Sequence, residues 1–113
     1  MPVYCLEYRG YFDRPHLYGP PGSEYADNLA RFTFLSRGAL ELAKAIAFVP
    51  DVIHAHDWQT ALVPVYLNTV EWARPLHGTA SIYSIHNLAY QGIFDPAALP
   101  TTGLGFEHYH AHE

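Results

Sequence analysis

Between Pro50 and Thr60 the chain reads Pro-Asp-Val-Ile-His-Ala-His-Asp-Trp-Gln-Thr. Apolar Val52, Ile53 and Ala55 sit inside this stretch, and polar groups crowd its far end. The pattern predicts a short buried strand, residues 51–56, that runs out into a polar turn. Asp51 marks its start, and Thr60 stands where it can cap a following helix. The other segments are read by how they can pack around this strand.

Residues 3–8 are rich in β-branched and aromatic side chains and predict a strand. Residues 9–23 contain Pro15, Pro20, Pro21, Gly10, Gly19 and Gly22, a density of breakers that predicts a loop. Its rings Tyr11, Phe12 and Tyr18, with His16, are expected to pack that loop onto the sheet. Residues 28–48 place Leu29, Phe32, Leu35, Ala39, Leu42 and Ile46 three and four apart, which predicts a helix whose apolar stripe faces the core. Asp27 is its expected N-cap and Pro50 its stop. Residues 61–70 predict a second, mostly buried helix. Pro64 lies in its first turn, where a missing N–H costs little. A turn at 74–78 leads to Thr-Ala-Ser-Ile-Tyr-Ser-Ile-His, residues 79–86, which predicts a third strand. A loop through Asn87, Tyr90, Gln91, Gly92 and Phe94 follows, then a single helical turn at 96–99. Residues 103–113 show no strong periodicity.

Strand, helix, strand, helix, strand is half of a doubly wound α/β sheet with parallel strands. Three strands and two helices leave sheet edges bare, so the chain is expected to be part of a larger domain. Its 113 residues suffice for one small domain. Half of them are hydrophobic, which excludes a disordered chain. The net charge is -5 and only six residues are Lys or Arg, scattered along the sequence. Phosphate-backbone binding needs clustered positive charge, so no nucleic-acid partner is expected. Cys5 is the single cysteine, too few for an internal disulfide or a cysteine zinc site, which fits a reducing compartment. No apolar run approaches the roughly 20 residues that cross a bilayer, and no signal-peptide plan opens the chain. A cytoplasmic protein without membrane contact is the expectation.

Ligands on open parallel sheets bind at the carboxyl ends of the strands. His56-Asp57 ends the second predicted strand and His86-Asn87 the third. If those strands are neighbours, about 4.8 Å apart, both pairs line one cleft. Side chains alternate along a strand, so His54 and His56 share a face. With Asp57 they can form a site for zinc or another borderline ion. Equally, His54 can be a hydrogen-bonded core histidine and Asp57 a helix cap beside a packing Trp58. His108, His110 and His112 also alternate, as a solvated face, a frayed end or a metal site. His86 leads into Asn87, Tyr90, Gln91 and Gly92. Carboxylate, amide, imidazole and aromatic groups together suit a sugar, which offers hydroxyls at its rim and C–H faces to a ring.

Three motifs then resemble a known family. They are Tyr18-Gly19-Pro20-Pro21-Gly22-Ser23-Glu24-Tyr25 with Asn28, Arg31 and Phe32; His54-Ala55-His56-Asp57-Trp58-Gln59-Thr60-Ala61; and His86-Asn87-Leu88-Ala89-Tyr90-Gln91-Gly92. In this order and spacing they resemble the bacterial glycogen synthase and plant starch synthase family, from about Val3 to about Phe106. The resemblance implies a two-domain GT-B glycosyltransferase with a cleft between two Rossmann-like domains. It would move glucose from ADP-glucose, or UDP-glucose in some relatives, to the non-reducing end of an α-1,4-glucan, with retention and with neither metal nor cofactor. Residues 1–113 would be part of the N-terminal, acceptor-side domain, in a bacterial cytoplasm or a plant plastid.

By match to the family, His86 would be the catalytic residue at the transferred sugar. Tyr25, His56, Asp57, Asn87 and Gln91 would bind substrate. The family's Lys-x-Gly-Gly-Leu loop and its C-terminal nucleotide-binding domain are not in this sequence. Gln59 stands where many relatives carry a second histidine. A fragment inactive on its own is therefore expected. Two other readings stay open: a metal-dependent hydrolase built on His54, His56 and Asp57, and a non-catalytic glucan-binding module in which Tyr25, Asp57 and His86 only bind.

Overall fold

The computed structural model describes residues 1–71 and 74–110. Its elements are a short helix α1 (Arg9–Phe12), the long helix α2 (Asn28–Ala45), strand β1 (Val52–His56), a 3-10 turn (Trp58–Thr60), helix α3 (Leu62–Asn68) and strand β2 (Ala80–Ser84). Two further 3-10 segments, Pro96–Thr102 and Phe106–His108, close the described part. β1 and β2 pair in parallel, with Val52 opposite Ala80 and His56 opposite Ser84. The expected adjacency of the two strands holds, and their carboxyl ends lie side by side.

The expected strand at residues 3–8 does not form: the segment has no strand pairing, and among the described residues the sheet is two-stranded. Strands need a partner for their backbone groups, and this segment lies instead along α2. Leu6 packs so closely on Gly38 that a Cβ at that position would collide with its side chain. Tyr8 continues the contact, 4.8 Å from Tyr11 and 5.8 Å from Phe34, centroid to centroid. Part of the expected loop at 9–23 is helical, since α1 forms at its start.

α2 begins where expected, but Asp27 makes no side-chain cap. Its carboxylate is taken by Arg14, whose Nη1 and Nη2 donate to it at 2.7 and 2.6 Å. The helix ends at Ala45, short of the expected 48, and Ala47 has φ 54, which cannot continue an α-helix. Its deepest residues are Asn28, Arg31, Ser36 and Leu40, not the apolar stripe. Ala39 and Ile46 of that stripe are exposed, and Leu29, Phe32, Leu35 and Leu42 are half-buried. The reason is that α2 is wrapped on two sides. Asn28 and Arg31 reach loop carbonyls on one flank, and Leu40 enters the core on the other.

That core is small: Leu40, Ala55, Val63, Tyr66, Leu67, Leu76 and Leu104. Tyr66, 1% exposed, donates its hydroxyl to the carbonyl of Thr102 at 2.6 Å, tying α3 to the last 3-10 segment. Burial pushes its phenol pKa up. The segment at 96–102 is a longer helical turn than expected, capped by Asp95, which accepts from the Ala97 N–H at 2.8 Å. Among the described residues, no helix is long and apolar enough to cross a membrane.

Candidate functional site

The loop before α2 is fixed by one buried arginine. Arg31 donates Nε to the Tyr11 carbonyl at 2.8 Å, and Nη1 to the Leu17 carbonyl at 2.9 Å and to Asn28 Oδ1 at 2.7 Å. Asn28 Nδ2 in turn donates to the Tyr18 carbonyl at 2.9 Å. The guanidinium also lies 5.1 Å from the Tyr25 ring centre. Burial, and next the charge of Arg14, lower its pKa. So the Asn-x-x-Arg spacing works as a clamp: both side chains fall on one helical face and hold loop carbonyls, adding to the loop's own backbone bond from the Tyr25 N–H to the Tyr18 carbonyl. The clamped loop forms one wall of a cleft.

The opposite wall comes from the exits of the two strands. Thr60 does not cap α3, whose N-cap position is Ala61 with no side-chain cap bond. Its hydroxyl instead accepts the His56 N–H at 2.8 Å and donates to the His56 carbonyl at 2.6 Å. Next along the chain, Asp57 adopts φ 58, ψ 173, a region that side chains other than glycine rarely enter. Hydrogen bonds to Ser84, Thr60 and His86 hold it there. Its N–H donates to Ser84 O at 2.9 Å, its carbonyl accepts from Thr60 N at 3.1 Å, and its Oδ1 accepts the His86 N–H at 2.7 Å. The carboxylate therefore staples the end of β1 to the first residues beyond β2. Burial pushes the nearby Tyr83 phenol pKa up, and the Asp57 charge adds to that.

Between the walls lies a cleft of about 610 Å³, bordered by Tyr18, residues 22–24, Asp57, Trp58, Gln59, Asn87 and Tyr90. None of the six Lys and Arg residues borders it. Trp58 separates it from a second, mainly apolar cavity of about 230 Å³ under Leu29, Phe32, Phe94 and Leu99. The indole is held edge-on by Phe32, 4.8 Å away, and by Gly92 beneath it. Gly92 has φ 61, and a Cβ there would collide with the six-membered ring. Gly92 is thus a site-shaping residue, although sequence reasoning assigns it only a place in the loop and motif after His86, with no role of its own. Its signal was a glycine five residues after Asn87, at a strand end.

The expected site residues divide among these places. Asp57 and Asn87 border the large cleft. Asn87 Oδ1 accepts the Ala89 N–H at 3.0 Å and so shapes its own loop. Gln91 borders the apolar cavity, and its Nε2 donates to the Leu88 carbonyl at 2.9 Å. Tyr25 does not border the cleft; it lies beneath two guanidiniums, 4.7 Å from Arg14 and 5.1 Å from Arg31. His56 and His86 meet on the exposed face at the strand ends, with His56 Nδ1 2.9 Å from His86 Nε2 and the rings stacked.

His54 is exposed rather than a core residue, and its Nε2 pairs with Ser84 Oγ at 2.8 Å. Among the described residues no three His, Cys, Asp or Glu side chains gather as a metal ion requires, so His54, His56 and Asp57 do not form the centre a hydrolase would need. His108 and His110 are exposed; His112 lies outside the described residues.

Parallel strands joined through a helix, with a polar cleft at their carboxyl ends, define a partial Rossmann-like α/β unit. The model of the starch synthase catalytic domain family matches residues 1–113, and the chain belongs to that family. It is 52% identical over 110 residues to glycogen synthase 1 of Geobacter sulfurreducens, covering 96% of this chain and 22% of that protein. It is 44% identical over 109 residues to the glycogen synthase of Thermodesulfovibrio yellowstonii, again covering 96% of this chain and 22% of that protein. The catalytic domain of starch synthase IV from Arabidopsis thaliana, solved bound to ADP and acarbose, superposes with a TM-score of 0.65 at 36% identity. That match covers 75% of this chain and 17% of the other. The chain thus spans about a fifth of the length of the relatives it matches.

Proposed function

We propose that this chain is the acceptor-side part of a glycogen or starch synthase. In this reading the protein that carries it transfers glucose from ADP-glucose to the non-reducing end of an α-1,4-glucan, with retention, in the bacterial cytoplasm. The observation that carries the reading is the cleft at the paired strand ends, bordered by Asp57, Asn87 and aromatic Tyr18, Trp58 and Tyr90. Hydroxyl-binding groups beside flat apolar rings are what a glucose unit requires. Starch synthase IV, a relative in fold and sequence, was solved with acarbose and ADP, which supports a saccharide and a nucleotide as the ligands.

His86 stands at the mouth of the strand ends and is the group assigned to the reacting sugar. Asp57, Asn87 and His56 bind or shape the acceptor side. Tyr25 supports the loop wall, and Gln91 holds the loop beyond Asn87. No metal or cofactor enters this reading. The departing diphosphate needs positive charge, and the cleft has no Lys or Arg at its border. This chain alone is therefore inactive. The test is incorporation of labelled glucose from ADP-glucose into glycogen. The full-length protein should incorporate it and the isolated 113-residue chain should not. No transfer by the full-length protein with any sugar nucleotide would reject the assignment.

A further inference from the structure

The three histidines at the strand ends are not independent. His54 and His56 lie on one face of β1 with ring centres 4.1 Å apart, and His56 stacks on His86 at 5.2 Å and 16°. Nδ1 of His56 and Nε2 of His86 are 2.9 Å apart, a hydrogen bond between two imidazole nitrogens. Such a bond holds one proton: one nitrogen donates and the other accepts. It therefore couples the tautomer of one ring to that of the other. It also occupies Nε2 of His86 and leaves Nδ1 as the nitrogen that a ligand can meet.

His56 is itself held more firmly than an exposed strand-end residue usually is. Thr60 Oγ1 bonds both its N–H and its carbonyl, and its ring rests on His54, which Ser84 Oγ anchors at 2.8 Å. On the other side, Asp57 Oδ1 holds the backbone N–H of His86 at 2.7 Å. Two consecutive residues of β1's exit thus fix His86, one through its ring and one through its backbone.

We infer that His56 is a positioning residue for His86: it sets the ring orientation and tautomer so that His86 presents Nδ1 to a hydroxyl of the transferred sugar. This rests on the reading of His86 as the catalytic residue. It assigns His56 no substrate contact of its own, a role different from the one its motif suggests. The pairing also explains why a histidine, not merely any polar group, follows Ala55. The ring supplies both the atom that bonds Nε2 and the face that stacks on its neighbours, of which asparagine has only the first and phenylalanine only the second.

The experiment uses the full-length protein with His56→Phe, His56→Asn, His86→Ala and the double variant His56→Phe/His86→Ala, read by kcat and by the KM for glycogen. His56→Phe keeps the stacking but loses the bond and should lower kcat by about 10²-fold, the usual cost of a misplaced catalytic group, with little change in KM. Asparagine puts a hydrogen-bonding atom near the Nδ1 position and should restore most of that loss. The double variant should be no slower than His86→Ala alone, because residues that act as a unit are not additive. Nitrogen-15 spectra of the folded variants supply a second readout: the His86 ring signals should change in His56→Phe and return towards wild type in His56→Asn. A rise in KM at unchanged kcat, additive losses in the double variant, or His86 signals indifferent to residue 56 would each overturn the inference. If His86→Ala keeps full kcat while the His86 ring signals still follow residue 56, the catalytic reading of His86 fails and the positioning contact stands.

Discussion

Asp57 offers the sharpest thermodynamic test, because its backbone and its side chain oppose each other. Holding a non-glycine residue at φ 58, ψ 173 costs about 1–3 kcal/mol. The bond from the His86 N–H to its carboxylate returns about 1.5 kcal/mol, the low end for a charged acceptor because the group is only half-buried. Asp57→Ala keeps the strain and loses the bond, so it should destabilise by about 1.5 kcal/mol. Asp57→Gly loses the same bond but relieves the strain, offset by about 0.5–1 kcal/mol of added freedom in the unfolded chain. The glycine variant should therefore be the more stable of the two by about 1 kcal/mol. Urea denaturation followed by circular dichroism reads this directly: with slopes of about 1–3 kcal/mol/M, the two midpoints should differ by about 0.3–1 M. Amide exchange at His86 should quicken in both variants, since both remove its acceptor. An alanine variant as stable as the glycine variant would show that position 57 carries no strain, and the reasoning would fail.

Gly92→Ala should displace Trp58, since it adds a methyl beneath the indole at a positive φ; we expect a loss of about 2–4 kcal/mol. With Trp72 replaced by Phe, the emission of the remaining indole should shift towards that of water-exposed tryptophan, and an unmoved spectrum would contradict the packing. Glu71 is 1% exposed and is paired by Lys44 at 3.0 Å and by Arg37 at 4.0 Å, so Lys44→Met leaves it only the longer contact and should cost less than the about 3–5 kcal/mol of a stranded buried charge, measured again as a urea midpoint. Asp27 behaves differently with pH. The hydrogen bonds from Arg14 hold its carboxyl below the usual range, so its contribution is present above the unfolded value of about 3.9 and is lost as pH falls through the lowered native value. In Asp27→Asn the acid limb of stability against pH should be shallower; an identical limb would show that the pair contributes nothing.

β1 and β2 were legible because each strand ends in a polar pair, and the same feature pointed to the cleft that Asp57 and Asn87 border. Residues 3–8 carry the composition of a strand, yet composition says nothing of a partner, and Leu6 and Tyr8 found α2 instead. The stripe on α2 was real in its spacing. Which positions lie deepest was set by what wrapped the helix, and Arg31 and Asn28 are buried because loop carbonyls need them. Thr60 has the chemistry of a cap and uses it on His56. The left-handed backbone at Asp57 has no local signal, since the sequence there is an ordinary aspartate and the conformation is imposed by Ser84, Thr60 and His86 together. Distances between side chains at the ends of paired strands, such as that between His56 and His86 just beyond β2, exist only once the register is fixed.

The central claim is that the strand-end cleft belongs to a glucosyltransferase and that His86 works at the reacting sugar. Steady-state transfer of glucose from ADP-glucose to glycogen by the full-length protein, wild type against His86→Ala, tests it most directly. The account predicts a fall in kcat of about 10²-fold or more with the KM for glycogen changed little. A His86→Ala protein that turns over at the wild-type kcat would contradict it.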